Sequence, residues 1–369
     1  MYDVITIGSA TRDVFLMSRA MHPHKAKDVL THIEACFPFG AKINVDELHF
    51  DTGGGGTNNA ATFARLGKFR VATVTRVGND NTGKEILGVL DTECVYKNFV
   101  QIAKAEHTAY STILSPGGEV GERTILVYRG ASEKFEHTKI PWNKLRAKWF
   151  YISSLGGDIS LLKKILAHAR RIKAQVAFNP GGQELSKFSP PLKVRPASPA
   201  KRGEGGWEGL RQSLAFLILN REEAARLTGI KLENTKELLR ALAKIVPSAI
   251  MTDGPKGAYA VMSSQSTVHS SQKKGSQKST YYLLHPTYSA FYVPSVGHKP
   301  KNITGAGDAF GSGFLTGWIK SHGDTKEALR VAAINADSVV QHIGAKVGIL
   351  SKYPSTTQLN KLPIREIKL

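Results

Sequence analysis

The sequence predicts an α/β fold: a doubly wound sandwich in which a mainly parallel central sheet carries helices on both faces, with a second, smaller sheet beside it. Three observations predict it. Short β-rich runs alternate with helical patterns along most of the chain; two stretches break that alternation and offer strand periodicity alone; and two glycine-rich turns each run directly into a helix.

The β-rich runs fall at residues 4–8, 71–77, 149–153, 175–179, 216–220 and 249–252. Helical patterns lie between or after them at 57–66, 159–172, 221–228, 236–245 and 325–342. In the first of these, Ala60, Phe63, Ala64 and Leu66 form one apolar face and Gly67 supplies the C-cap. Phe310, Phe314 and Trp318 recur every four residues, which predicts a buried helix face. Residues 13–51 and 97–130 contain alternating stretches at 42–50, 108–114 and 124–128 without helical period, and these predict the small sheet. Two segments read as mobile insertions in a single domain spanning 1–369. Residues 186–207 are rich in Pro, Lys, Arg and Gly and residues 263–279 in Ser, Gln and Lys, so neither buries enough apolar surface to offset its ordering entropy. The second insertion lies between apolar runs at 258–262 and 281–284, which predict a hairpin with the polar tract as its tip.

Composition narrows the function classes. With 369 residues, 41% of them hydrophobic, the chain can bury a large core. Only two cysteines, Cys36 and Cys94, argue against a disulfide framework; the start reads as a strand rather than a leader, and no apolar stretch reaches the roughly 20 residues of a membrane span. A soluble, cytoplasmic protein is the expectation. Lys and Arg number 50 against 30 Asp and Glu, a formal charge of +20 that favours anionic partners. The surplus is spread along the chain with no nucleic-acid-binding motif, so specific nucleic-acid recognition is not expected, and neither is membrane binding. No glycine-lysine pair is followed by Ser or Thr, which excludes a Walker A loop, and the twelve histidines match no metal-binding spacing.

The chemistry concentrates in two glycine-rich segments. Asn302-Ile303-Thr304-Gly305-Ala306-Gly307-Asp308 opens a helix, where backbone N–H groups and the helix dipole can hold a phosphate or an oxyanion. A carboxylate beside such a site is costly unless used, and Asp308 can serve as the general base that takes a proton from a hydroxyl attacking a phosphoryl group. Alone, the string also fits a plain helix entrance with a first-turn acid. Gly53-Gly54-Gly55-Gly56-Thr57-Asn58 lets a small polar ligand meet bare backbone amides, with Asn58 able both to donate and to accept; alone, it also fits a flexible loop. Asp13, after the Gly8-Ser9 turn, can accept two hydrogen bonds from vicinal hydroxyls.

In this order and spacing the two segments resemble the ribokinase-like (PfkB) carbohydrate kinases, the first matching a G-G-x-G-x-N sugar-binding segment and the second a D-T-x-G-A-G-D segment. Weaker matches follow the same order: Val77-Gly78-Asn79-Asp80, Asn220-Arg221-Glu222-Glu223 and Thr252-Asp253-Gly254-Pro255-Lys256-Gly257. The resemblance covers most of the chain. It implies a ribokinase-like fold whose small sheet is a lid, with an exposed edge that could pair two subunits into a homodimer. It implies an ATP-dependent kinase acting on a hydroxymethyl group of a sugar, or alternatively of a nucleoside, with Mg²⁺ bridging the donor phosphates; a non-catalytic sugar-binding regulator is the reading from another class. Asp308 is then the base, with the Thr304, Gly305, Ala306 and Gly307 amides on the transferred phosphoryl group. Asp13, Gly54, Gly55 and Asn58 hold the acceptor. Asn220, Thr252, Gly254, Gly257 and Thr304 contact the donor, Asn335 borders the adenine, and Glu223 reaches Mg²⁺ through water. The family's motif begins Asp-Thr where this chain has Asn302-Ile303. Asn302 is therefore a weak candidate ligand for a monovalent cation, and K⁺ dependence is doubtful.

Overall fold

Successive side chains of a strand face opposite sides of its sheet, so a strand apolar at every position needs cover on both sides. The computed structural model describes residues 1–21, 23–25, 33–37, 40–115, 123–188, 213–274 and 277–369. In chain order the strands are β1 (Tyr2–Ile7), β2 (Thr11–Met17), β3 (Pro23–Lys25), β4 (Ile33–Ala35), β5 (Glu47–Gly53), β6 (Val71–Val74), β7 (Arg76–Gly78), β8 (Gln101–Ala103), β9 (Ala109–Ser115), β10 (Thr124–Tyr128), β11 (Ala147–Ile152), β12 (Gln175–Phe178), β13 (Phe216–Asn220), β14 (Ser248–Thr252), β15 (Ala258–Lys274), β16 (Gln277–Val293) and β17 (Arg365–Ile367). The helices are α1 (Gly55–Arg65), α2 (Asn81–Thr92), α3 (Ile159–Ile172), α4 (Gly182–Phe188), α5 (Arg221–Thr228), α6 (Thr235–Ile245), α7 (Ala306–Lys320), α8 (Thr325–Val340) and α9 (Thr356–Asn360).

The large sheet has the order β17-β16-β15-β14-β13-β12-β11-β1-β6. Pairing is parallel from β6 to β14 and antiparallel from β14 to β17. Alternation along its strands divides the core in two. Ile5, Ile7, Phe150, Ile152, Leu217 and Leu219 join one cluster, covered by Leu161, Leu162 and Ile165 of α3 and Leu238, Leu239 and Leu242 of α6. Val4, Tyr151, Phe216 and Ile218 join the other, covered by Phe63 of α1, Ile86 and Leu90 of α2, Phe310 and Phe314 of α7 and Leu329 of α8. Phe314 is fully buried and meets Phe216 edge-on at 5.3 Å between ring centres. Truncating a phenylalanine so placed costs about 3–5 kcal/mol. The small sheet has the order β10-β9-β2-β5, with β2 parallel to β9 and antiparallel to β5.

Several sequence expectations change. The run at 71–77 is two strands, because the chain leaves β6 of the large sheet and re-pairs as β7 with β8. Helix α2 was not anticipated from its polar first turn; its start is fixed by Asp80, whose side chain accepts the Gly83 N–H at 2.7 Å. The hairpin has another register. Residues 258–262 pair with 289–293, not with 281–284, and the polar tract continues both strands up to Lys274 and from Gln277, so it is ladder rather than a loose tip. Of the other expected insertion, Ser186 to Phe188 complete α4, and 189–207 lies outside the described residues. No described helix is long and apolar enough to cross a membrane.

Candidate active site

The glycine run is a rigid turn, not a flexible loop. Gly54 caps α1 with a φ of 91° and ψ of 137°, and a side chain there would strike the Ser9 carbonyl, so only glycine fits. Gly56 N–H donates to Ser9 O at 2.9 Å, Thr57 Oγ1 to Gly53 O at 2.7 Å and Thr6 Oγ1 to Gly56 O at 2.8 Å, which pins the turn onto the end of β1.

A carboxylate stands at each end of this turn. A Cβ on Gly53 would overlap the Asp13 carboxylate, and a Cβ on Gly55 would lie 3.5 Å from Asp308 Oδ1. Asp13 is buried on β2, opposite Asp51 of β5, and accepts the Thr11 hydroxyl at 2.9 Å. Asp308 lies in the first turn of α7, whose N-cap Gly305 has a φ of 81°. Asn58 Nδ2 donates to Asp308 Oδ2 at 2.9 Å and Asn59 Nδ2 to Oδ1 at 3.2 Å, so adjacent side chains of α1 clamp both carboxylate oxygens.

Beyond Asp308 opens a cavity of about 260 Å³. Its walls include Asn220, Glu223, Thr252, Asn179 and Arg123, with Gly305, Gly307 and Asp308 beneath them. Parallel strands β13 and β14 end side by side, Asn220 opposite Thr252, and so bring those residues to one rim, where ligands of such sheets bind.

The family model for pfkB family carbohydrate kinases matches residues 29–352. The chain belongs to that family. It is 27% identical over 318 residues to the cytidine kinase of Thermococcus kodakarensis, covering 82% of this chain and 95% of that one. It is 25% identical over 326 residues to the ribokinase of Arabidopsis thaliana, covering 86% of this chain and 74% of that one. A solved structure of the Arabidopsis thaliana ribokinase, complexed with ribose and ATP, superposes with a TM-score of 0.65 at 21% identity, covering 98% of each chain. The protein is thus a ribokinase-fold kinase of the sugar and nucleoside class.

Within this kinase fold burial and neighbouring charges act on several groups of the site. Burial pushes the Asp308 carboxyl above the ordinary carboxylate range, while the Asn58 and Asn59 amides and the Lys346 charge pull it back. Burial likewise raises Asp13, opposed by the hydroxyls of Thr11 and Ser111 and by Lys346. Glu223 is raised by burial. Tyr151, fully buried, is pushed well above the usual phenol range by burial and then by the Asp308 charge, so it stays neutral.

Some assignments from the motifs need correction. Asn335 does not border a ligand: it is fully buried, its Nδ2 donating to Ala309 O at 2.9 Å and its Oδ1 accepting the Leu350 N–H at 3.2 Å, which ties α8 to α7. Two of the four supposed phosphoryl-binding amides are engaged inside the loop, Thr304 N–H with Asn302 Oδ1 at 2.7 Å and Ala306 N–H with Ile303 O at 3.3 Å. The Asn302 oxygen thus closes a turn within the loop. Gly257 is a packing glycine, because a side chain there would overlap Val293 O; Gly254 is exposed, and neither lines the cavity. Asn220 and Glu223 form a capping box for α5: Asn220 Oδ1 accepts the Glu223 N–H at 2.8 Å, and Glu223 Oε2 accepts the Asn220 N–H at 2.9 Å.

Sequence reasoning missed Asn59, Thr52, Arg123, Tyr151 and Lys346. Asn59 had a signal, since it follows Asn58 on the helix face the glycine turn presents. A lysine inside the small-residue string Gly344-Ala345-Lys346-Val347-Gly348 was a weaker one.

Proposed function

We propose that the protein transfers the terminal phosphoryl group of ATP to a hydroxymethyl oxygen of a sugar. One observation carries this reading: three glycines without side chains, Gly53 to Gly55, lie between the Asp13 and Asp308 carboxylates, and the cavity with Glu223 opens on the far side of Asp308. Two residue steps of extended chain span at most about 7 Å, the scale of a monosaccharide. Asp13 accepts hydroxyls at one end and Asp308 meets the reacting hydroxyl at the other. Asp308 takes the hydroxyl proton, the freed oxygen forms a bond to the terminal phosphorus, and the bond from that phosphorus to the bridging oxygen breaks to release ADP. The amides of Gly305 and Gly307 at the dipole-positive start of α7 stabilise the charge on the transferred group.

The residues present fit ATP and Mg²⁺. Thr304 Oγ1 and Asn58 Oδ1 are buried with no hydrogen-bond partner among the described residues, an arrangement that polar ligand groups satisfy. No cluster of three His, Cys, Asp or Glu side chains among the described residues could cage a metal, whereas Mg²⁺ is commonly held by one carboxylate, water and substrate phosphates. Glu223 is the carboxylate that would hold it, and bound Mg²⁺ would neutralise charge on the donor phosphates. A nucleoside acceptor is the second reading, favoured by the similarity to a cytidine kinase, because its ribose offers the same hydroxymethyl group.

The test is ADP release from ATP with a panel of pentoses, hexoses and nucleosides. Acceptor-dependent release and a phosphorylated hydroxymethyl carbon by NMR are expected. ADP release that no acceptor stimulates would overturn the proposal.

A further inference from the structure

The residue Lys346 is almost wholly buried, with 4% of its surface exposed, beneath the glycine turn rather than in the cavity. Its ammonium donates to the carbonyl of Thr52, and to Thr52 Oγ1 at 3.2 Å. Thr52 immediately precedes the glycine run. The segment carrying the lysine touches the small sheet, the end of α1 and the loop ahead of α7. Ala345 N–H donates to Asp51 Oδ2 at 3.1 Å, Arg65 Nη1 at the end of α1 donates to Lys346 O at 2.7 Å, and a side chain on Gly305 would lie 2.6 Å from Ala345 Cβ. Small sheet, glycine turn and phosphoryl-binding loop therefore meet on three consecutive residues, Gly344 to Lys346.

A buried ammonium is costly unless charges and acceptors compensate it. The groups acting on it are Asp13 of β2, Asp51 of β5, Asp308 of α7 and Glu93 at the end of α2, the last also paired with Arg65. Asp13 and Asp308 both sit where burial opposes ionisation, and both are pulled back by Lys346.

We propose that Lys346 is a positioning residue of the kinase site, a built-in cation whose ammonium, held by the Thr52 carbonyl and hydroxyl, fixes the Thr52–Gly55 turn between the acceptor-binding Asp13 and the base Asp308. This rests on the kinase reading above. It acts through Asp13, Asp308 and the turn, and touches no reacting atom. Burial favours the protonated form of each carboxyl, and protonation removes a function: a protonated Asp308 cannot accept, and a protonated Asp13 accepts fewer hydroxyls.

The experiment measures kcat/KM for the acceptor against pH in wild type, Lys346→Met and Lys346→Arg, with KM for ATP alongside. In Lys346→Met, kcat/KM for the acceptor at neutral pH should fall about a hundredfold while KM for ATP changes less than about threefold, since the turn that loses its anchor lies on the acceptor side of Asp308. Its acid limb should move to higher pH. Lys346→Arg keeps the charge, so it should keep the wild-type acid limb and lose any basic limb that lies below the ordinary lysine range. If Lys346→Met does not fold, Lys346→Gln replaces it, keeping a donor for Thr52 while removing the charge, and its acid limb should likewise move to higher pH. Wild-type limbs in Lys346→Met, or in Lys346→Gln where that variant replaces it, overturn this inference while leaving the kinase reading intact. An acceptor-independent wild type overturns both.

Discussion

Asp308 carries the heaviest charge requirement of any single residue in this site. Burial opposes its ionisation, and the compensation is local: two amides from α1 and one ammonium. Asp308→Asn should lower kcat by roughly two to four orders of magnitude, the range of a lost general base, with little change in ATP affinity. Activity retained within about tenfold would remove Asp308 from the mechanism. The pH dependence has a definite sign. Because the folded-state value is raised, the acid limb of kcat/KM should lie above the ordinary carboxylate range, with activity lost as pH falls through it. Stability runs the other way: the contribution of Asp308 is present below its unfolded value and lost as pH rises through the raised folded value. The melting temperature of Asp308→Asn relative to wild type should therefore climb from acid to neutral pH, which calorimetry at several pH values would register.

At the scale of elements, helix ends do the positioning. The starts of α1 and α7 converge, α1 with its paired asparagines and α7 with its base, and α5 begins beside the cavity with Asn220 and Glu223. Those two residues are structural and, on the proposed reading, functional as well, and substitutions separate the roles. Asn220→Ala removes the N-cap and should cost about 1 kcal/mol of stability. Glu223→Gln keeps the reciprocal capping bond, since glutamine serves in a capping box, so the melting temperature should hold. Its kcat should nevertheless drop, and the Mg²⁺ concentration for half-maximal rate should rise several-fold, as expected when a hard cation loses an anionic ligand. A Mg²⁺ titration unchanged from wild type would restrict Glu223 to the cap.

Across the whole molecule, the least accounted surface is the edge of the small sheet. All five residues of β10, Thr124 to Tyr128, are exposed, among them Ile125, Leu126, Val127 and Tyr128; Leu48 and Phe50, also exposed, lie on β5 at the opposite edge. An apolar edge strand left bare is an association site, and the proposed occupant is the same edge of a second copy, in a symmetric pair. Sedimentation should show a dimer, and Leu126→Lys with Val127→Glu should shift it toward monomer. A wild type that stays monomeric at high concentration would dismiss the pairing. The measurement needs moderate salt, because a formal charge of +20 opposes association at low ionic strength.

The alternation of β-rich and helical runs determined the sandwich, because the short apolar runs of β1, β11 and β13 and the period of 3.6 along α3 and α6 are properties of neighbouring residues. The two glycine-rich segments likewise announced Asp308 and Asn58, since bare backbone ahead of a helix is a local requirement. What the sequence could not display was contact between distant positions. Asn335 looked like a site residue until its amide proved to be satisfied by Ala309 and Leu350, and the polar tract at 263–279 looked loose until its ladder partners were in place. Lys346 is the sharpest case: its small neighbours along the chain mark it only weakly, and its proposed role arises where the fold buries its ammonium against Thr52 and within the fields of Asp13, Asp51 and Asp308, from three separate elements. Local pattern is written in adjacent residues, whereas the charge state of a buried group is set by whatever the fold brings within a few ångströms of it.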